Sequence, residues 1–328
     1  MVWLTWRQHR REALAGGVVL GVLATLLLLT HGLMSSAMGE AMKSCGPQTT
    51  PEFCGPSAQT ASQLFNVGGL LKLVLMALPA LVAIFVAAPM VAHEVEQRTH
   101  TFVWTQSVTR MYWFAVKVAL IGVTTVTAAL AVAALAGWWQ QPFDLMTSNG
   151  SWSFFDIFGL VPVAYAVFAL ALGLSASVTI RRTVPAMAAT LFTFVIVRIS
   201  FAFLRPHYVP PVIKDSASAQ GDFPVGSLQM DLYWTDATNH RVDPLSVYRV
   251  LEQNFPGSVG PTTPSGATPI QGSVEQVQWL NAHGYHFITV YQPADRLWTF
   301  QGIEAAIFAV LAMLLIGLSA WWLRQRVH

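Results

Sequence analysis

The sequence predicts an all-α polytopic membrane protein, with six transmembrane helices and a small mixed α/β extracytoplasmic domain between the fifth and sixth spans. Three observations carry that prediction. Of 328 residues, 54% are hydrophobic and 10% charged, against roughly 25% charged in an ordinary soluble domain, so the apolar surface exceeds what one aqueous core can hide. Six stretches reach the roughly 20 mostly apolar residues that a bilayer crossing needs. Arg98, Arg110, Arg181, Arg182, Arg324 and Arg326 all fall on one side of those stretches, and a Lys/Arg excess marks the cytoplasmic side.

Taken in order, residues 1–12 carry Arg7, Arg10 and Arg11 and lie in the cytoplasm, and span one covers 13–34. Its apolar run exceeds the roughly 7 to 15 residues of a signal-peptide core, so it is read as a retained span. The outer loop 35–67 holds the only cysteines, Cys45 and Cys54. An oxidising exterior and a short Pro-containing loop favour a disulfide between them, with two free thiols as the alternative. Zinc would need ligands that the loop does not offer. Span two is 68–92, the cytoplasmic connector 93–112, span three 113–137 and the next outer loop 138–157, which has no Lys or Arg. Span four is 158–180, a cytoplasmic turn occupies 181–183, and span five is 184–204. Span six is 297–323, and the tail 324–328 returns to the cytoplasm because six crossings put both termini on one side. Trp3, Trp6, Trp113, Trp138, Trp139, Trp298, Trp321 and Trp322 sit at or near span ends, where an indole favours the headgroup layer.

Between residues 205 and 296 the composition turns to Pro, Gly, Ser, Thr and Asp, and no run is long enough to cross. Leu228, Met230, Leu232 and Trp234 alternate as in a strand, and the Tyr285 to Tyr291 stretch is rich in β-formers. Val274, Val277 and Leu280 have helical spacing before Gly284, and residues 256–272 read as a loop.

Ionisable residues within spans are costly and need partners. Arg198 lies about 9 Å from the outer end of span five and Glu304 about 10 Å from that of span six, at about 1.5 Å per residue. Equal depths predict that they pair, or share a polar network with Gln301 one turn from Glu304. A fixed brace between helices is the simpler reading than a substrate or proton site. Lys72 and His31 are near enough to the outer surface to snorkel.

The connector from His93 to Arg110 can form an amphipathic helix on the membrane, with Val95, Phe102, Val103 and Trp104 as anchors and Glu94, Glu96, Arg98 and Arg110 facing a partner. A solvated connector touching only headgroups is the equal alternative. Enzymatic patterns are missing. His93-Glu94 begins like the zinc motif His-Glu-x-x-His, but Gln97 stands in the second histidine's place. His283 and His286 lack a third ligand. There is no Gly-x-Ser-x-Gly elbow and no Gly-x-x-x-x-Gly-Lys-Ser/Thr phosphate loop. No catalytic residue and no metal ligand is assigned, and a formal net charge of +2 implies no nucleic-acid partner.

Glu94-x-Glu96-x-x-Thr99, then Trp104-Thr-Gln-Ser-Val-Thr-Arg110, resembles the cytoplasmic loop of type 2 permease subunits of ATP-binding-cassette (ABC) transporters, especially an actinobacterial group. Trp3-Leu-Thr-Trp-Arg-Gln-His-Arg10 and Tyr291-Gln-Pro-Ala-Asp-Arg-Leu-Trp-Thr-Phe-Gln-Gly-Ile-Glu304 resemble the same family in the same order. Arg98 departs from the family's frequent Gly, so the turn there lacks a residue that takes positive φ cheaply. The resemblance implies an N-terminal interfacial helix over 1–12. It also implies a coupling loop in which Glu94, Glu96, Arg98, Thr99, Trp104 and Arg110 engage a separate cytoplasmic pair of ABC ATPase subunits, which hold the ATP and Mg; this chain itself takes no cofactor. It further implies a bacterial plasma-membrane exporter that pairs with a second copy or a related permease. Spans this apolar suit a hydrophobic or amphipathic cargo. The alternative is a membrane sensor or scaffold with an extracytoplasmic binding domain and no ATPase partner.

Overall fold

The computed structural model describes residues 2–45, 56–89, 110–144, 147, 149–180, 182–216, 223–256 and 274–326. The chain divides into two compact units, one of residues 1–146, 153–205 and 298–328, the other of residues 147–152 and 206–297.

Among the described residues, six helices are long and apolar enough to cross a membrane. They are α1 (Val2–Cys45), α2 (Pro56–Val82), α3 (Arg110–Trp139), α4 (Val161–Ile180), α5 (Thr183–Leu204) and a last helix, Leu297–Arg326. The expected interfacial helix over 1–12 is not a separate element: α1 runs unbroken for 44 residues from Val2. The physical reason lies in the sequence. Arg7 to Ala15 is dominated by Arg, Gln, Glu, Ala and Leu, all strong helix formers, and no Pro interrupts it.

Helix α4 is the centre of this unit. Fourteen of its twenty residues are buried, as befits a helix that is apolar all round. Pro162 suits its start because the missing N–H would be unpaired there anyway. Small residues let neighbours come close. A Cβ on Gly173 would lie 2.6 Å from Ala87 Cβ and 2.9 Å from the Ala83 carbonyl oxygen. At that contact α2, which contains Pro79, passes into a π-helical turn over Ala83–Ala87, where the Ala88 N–H bonds the Ala83 carbonyl. The Ser177 hydroxyl donates a short hydrogen bond to the Ala88 carbonyl. Ala87, Ile121, Leu170, Leu174 and Val178 form the core around this contact.

The second unit is a four-stranded antiparallel sheet in the order β1-β4-β2-β3. Its strands are β1 (Val212–Ser216), β2 (Leu228–Thr235), β3 (Arg241–Val242) and β4 (His286–Gln292). The strand expected from alternation at Leu228 to Trp234 is β2, and its Trp234 faces a core with Phe287, Val247, Leu251, Val277 and Leu280. Those aliphatic residues come from α6 (Pro244–Asn254) and α7 (Val274–Ala282). Helix α6 was not expected from the sequence, yet its start is well marked, with Pro244 in the first turn and the Asp243 carboxylate accepting the Leu245 N–H at 3.3 Å. With these two helices placed in chain order, Leu297–Arg326 is α8. Residues 147–152 join this unit, since Asn149 Oδ1 accepts the Gln229 N–H at 3.2 Å.

Candidate functional site

Among the described residues, the most enclosed charges of the first unit gather in one place. Arg198 lies on α5 and Arg205 just past its end, seven residues later and so on the same face. Tyr165 is in the first turns of α4, Asp156 in the segment leading into it, and Glu304 on α8.

Arg205 is the hub. Its Nε donates to Glu304 Oε2 at 2.8 Å and its Nη2 to Glu304 Oε1 at 3.0 Å, a bidentate arrangement that only a guanidinium makes. The same Nη2 lies 2.6 Å from Asp156 Oδ1, and Nη1 lies 3.4 Å from Asp156 Oδ2. The Tyr165 hydroxyl donates a short hydrogen bond to Glu304 Oε1 and accepts from Arg205 Nη2 at 3.2 Å. The Arg205 guanidinium also covers the Phe155 ring at 4.1 Å. Glu304 is fully buried, and a carboxylate so enclosed is tolerable only when its lone pairs are filled this completely.

Arg198 stands at the edge. Its Nη1 donates to Asp156 Oδ1 at 3.3 Å and is 4.0 Å from Glu304 Oε1. Its guanidinium lies over the Tyr165 ring at 3.5 Å. Burial alone would raise the Asp156 carboxyl, but the Arg205 and Arg198 guanidiniums beside it outweigh that and hold it below the usual carboxylate range.

Gln301 does something different, one turn before Glu304. Its Oε1 accepts the N–H groups of Leu160 and Val161, both at 3.0 Å. Its Nε2 donates to the carbonyls of Phe155 and Phe158 at 2.9 and 3.1 Å. The side chain from α8 thus caps the start of α4, filling donors that a helix end leaves open. Beneath the charges, Phe308 packs edge-on against Tyr165, Phe168 and Phe201.

Depth counting set Arg198 level with Glu304, with Gln301 one turn away; in the structure Arg198 Nη1 is 4.0 Å from Glu304 Oε1, while Gln301 bonds backbone groups at the start of α4. The guanidinium directly on Glu304 is nevertheless that of Arg205. Asp156, Tyr165 and Arg205 were missed. One signal was readable: Asp156 is the sole acid between Asp144 and Asp215, set between Phe154-Phe155 and Ile157-Phe158. Glu94, Glu96, Arg98, Thr99 and Trp104 lie outside the described residues, and Arg110 is the first residue of α3. Cys45 closes α1 while Cys54 lies outside the described residues; no disulfide is formed among the described residues, so the expected bond is not supported. Of the outlying polar residues, His31 stacks on Trp138 at 3.6 Å and Lys72 Nζ lies 5.5 Å from the Phe154 ring centre.

A family model described as "ABC-2 membrane transporter related" matches residues 17–205, more than half of the chain. The matched stretch holds Asp156, Tyr165, Arg198 and Arg205 and stops before Gln301 and Glu304. No curated protein and no solved structure matches.

Proposed function

Because the chain belongs to the ABC-2 membrane transporter related family and is a multi-pass membrane permease, we propose that it is the membrane subunit of an ABC exporter, driven by a separate cytoplasmic pair of ATPase subunits that bind ATP and Mg. The observation that carries this reading is the family match across the first five of six apolar helices. The connector 93–112, whose last three residues begin α3, is the segment that an ATPase grips, through Glu94, Glu96, Arg98, Thr99, Trp104 and Arg110. Both termini face the cytoplasm of a bacterial cell, two permease halves associate, and the cargo is hydrophobic or amphipathic. The buried cluster is the brace that keeps α4, α5 and α8 together while the helices re-pack.

The test is co-purification of the full chain from its native membrane. A nucleotide-binding subunit in the complex, with ATP hydrolysis that falls when Glu94 or Glu96 is replaced by Ala, supports the exporter. A stable complex with no ATPase supports a sensor or scaffold instead.

A further inference from the structure

The two arginines of the buried cluster are unequally used. Arg205 engages both carboxylates and Tyr165 through all three of its nitrogens. Arg198 also offers five N–H donors, yet among the described residues its one hydrogen bond is that from Nη1 to Asp156 at 3.3 Å. Nε and Nη2 have no partner among the described residues. The side chain is 13% exposed, and Nε and Nη2 are not among the fully buried nitrogens left without a partner, so the guanidinium is largely enclosed but keeps an open edge. It sits within α5 among Val195, Ile196 and Ile199, an apolar stretch where idle donors are costly. The Tyr165 ring, 3.5 Å beneath, fixes the plane of the fork. A planar, oriented and half-unused guanidinium fits a two-oxygen acceptor, a phosphate or a carboxylate. The exposed side chains on its own face of α5, Leu191, Val195 and Ala202, are apolar. An oxyanion reaching Arg198 along that surface is therefore best carried on an apolar tail.

We propose that the free edge of Arg198 binds the oxyanion head of an amphipathic molecule whose tail lies along α5. This rests on the exporter reading and narrows its cargo to amphiphiles bearing a phosphate or carboxylate. Arg205 keeps the two acidic side chains occupied, so they do not compete strongly for Arg198.

The test uses the full chain, with whatever subunits co-purify, in phosphatidylcholine nanodiscs. Its probes are lysophosphatidic acid and a monoacylglycerol of the same chain length, which differ only in the phosphate. The natural protein binds the lysophosphatidic acid at least about tenfold more tightly, as a hydrogen bond to a charged group supplies. Arg198→Gln abolishes that preference. Arg198→Lys keeps the charge and the brace but loses the fork, so the preference falls several-fold with unchanged melting temperature, and this variant decides the matter if Arg198→Gln does not fold. Arg182→Gln, at the other end of α5, leaves the preference intact. Competition by inorganic phosphate would mean that a free oxyanion suffices, and its failure that the head must be attached to a chain. Equal binding of both probes, or a preference that survives in Arg198→Lys and Arg198→Gln, overturns the proposal. Absence of an ATPase from the preparation would sink the exporter reading while leaving the oxyanion site to stand or fall on the probes.

Discussion

Gly159 and Gln301 fit each other so closely that neither can be exchanged alone. Gly159 has a φ of +74°, and a Cβ there would lie 2.9 Å from Gln301 Oε1 and 3.1 Å from its Cδ. The glycine supplies both the left-handed turn and the space into which the carboxamide reaches to cap α4.

Replacing Gln301 by Leu keeps the volume but strands two N–H groups and two carbonyls, with an expected cost of about 1–3 kcal/mol for each buried group left unpaired. Thermal unfolding in nanodiscs should show a clearly lower midpoint than for Gly302→Ala, where a Cβ meets nothing within 4 Å. Equal midpoints would remove Gln301 from the cap.

Breaking the hub should be worse than removing a pair. Arg205→Leu leaves Glu304 buried beside Tyr165 with no bidentate partner, at an expected cost of about 3–5 kcal/mol. Arg205→Leu combined with Glu304→Leu removes opposite charges together and should recover much of the loss. A double variant less stable than the single one, measured by unfolding midpoint, contradicts the ion-pair account.

Asp156 fixes the sign of the acid response. A carboxyl held below its ordinary value of 3.8 contributes stability that is fully present above that value and is lost as pH falls through its lower folded value. Stability from this group is therefore flat through neutral pH and declines only below about pH 4. Asp156→Asn should be less stable than the natural protein at pH 7, with the gap narrowing in acid. A gap that is constant from pH 7 to 3 would show that Asp156 is not held charged.

At the π-turn the decisive contacts are to backbone. A Cβ at Gly173 meets the Ala83 oxygen at 2.9 Å and the Ala88 nitrogen at 3.0 Å, neither of which can swing aside. Gly173→Ala should cost about 1–3 kcal/mol by forcing α2 from α4. Gly122→Ala in α3, with open space around its Cβ, serves as the comparison, and equal stability of the two variants would mean that this approach is not tight.

The spans were legible because hydrocarbon thickness imposes a minimum length on any apolar run. Depth counting brought Arg198 and Glu304 together for the same reason. Arg205 escaped because it lies one residue beyond the apolar run, where an arginine reads as an interfacial charge. Asp156 escaped because it precedes α4 in what reads as a loop, although four large apolar neighbours signalled burial. The partnership of Tyr165 with Glu304 joins residues 139 positions apart, and no local periodicity encodes it. An interfacial helix separate from span one is not seen, because residues 7–15 favour helix and charge alone does not end one. In the second unit β2 announced itself by alternation, whereas β1, with its Lys214 and Asp215, looks like linker until β4 pairs with it.

Two guanidiniums and two carboxylates sum to zero, and that neutrality has an electrical consequence. An isolated charge moved through the full membrane potential exchanges about 2.3 kcal/mol per 100 mV, while a neutral group carried as one body exchanges none. The cluster taken as one body therefore gives a membrane potential no net charge to act on.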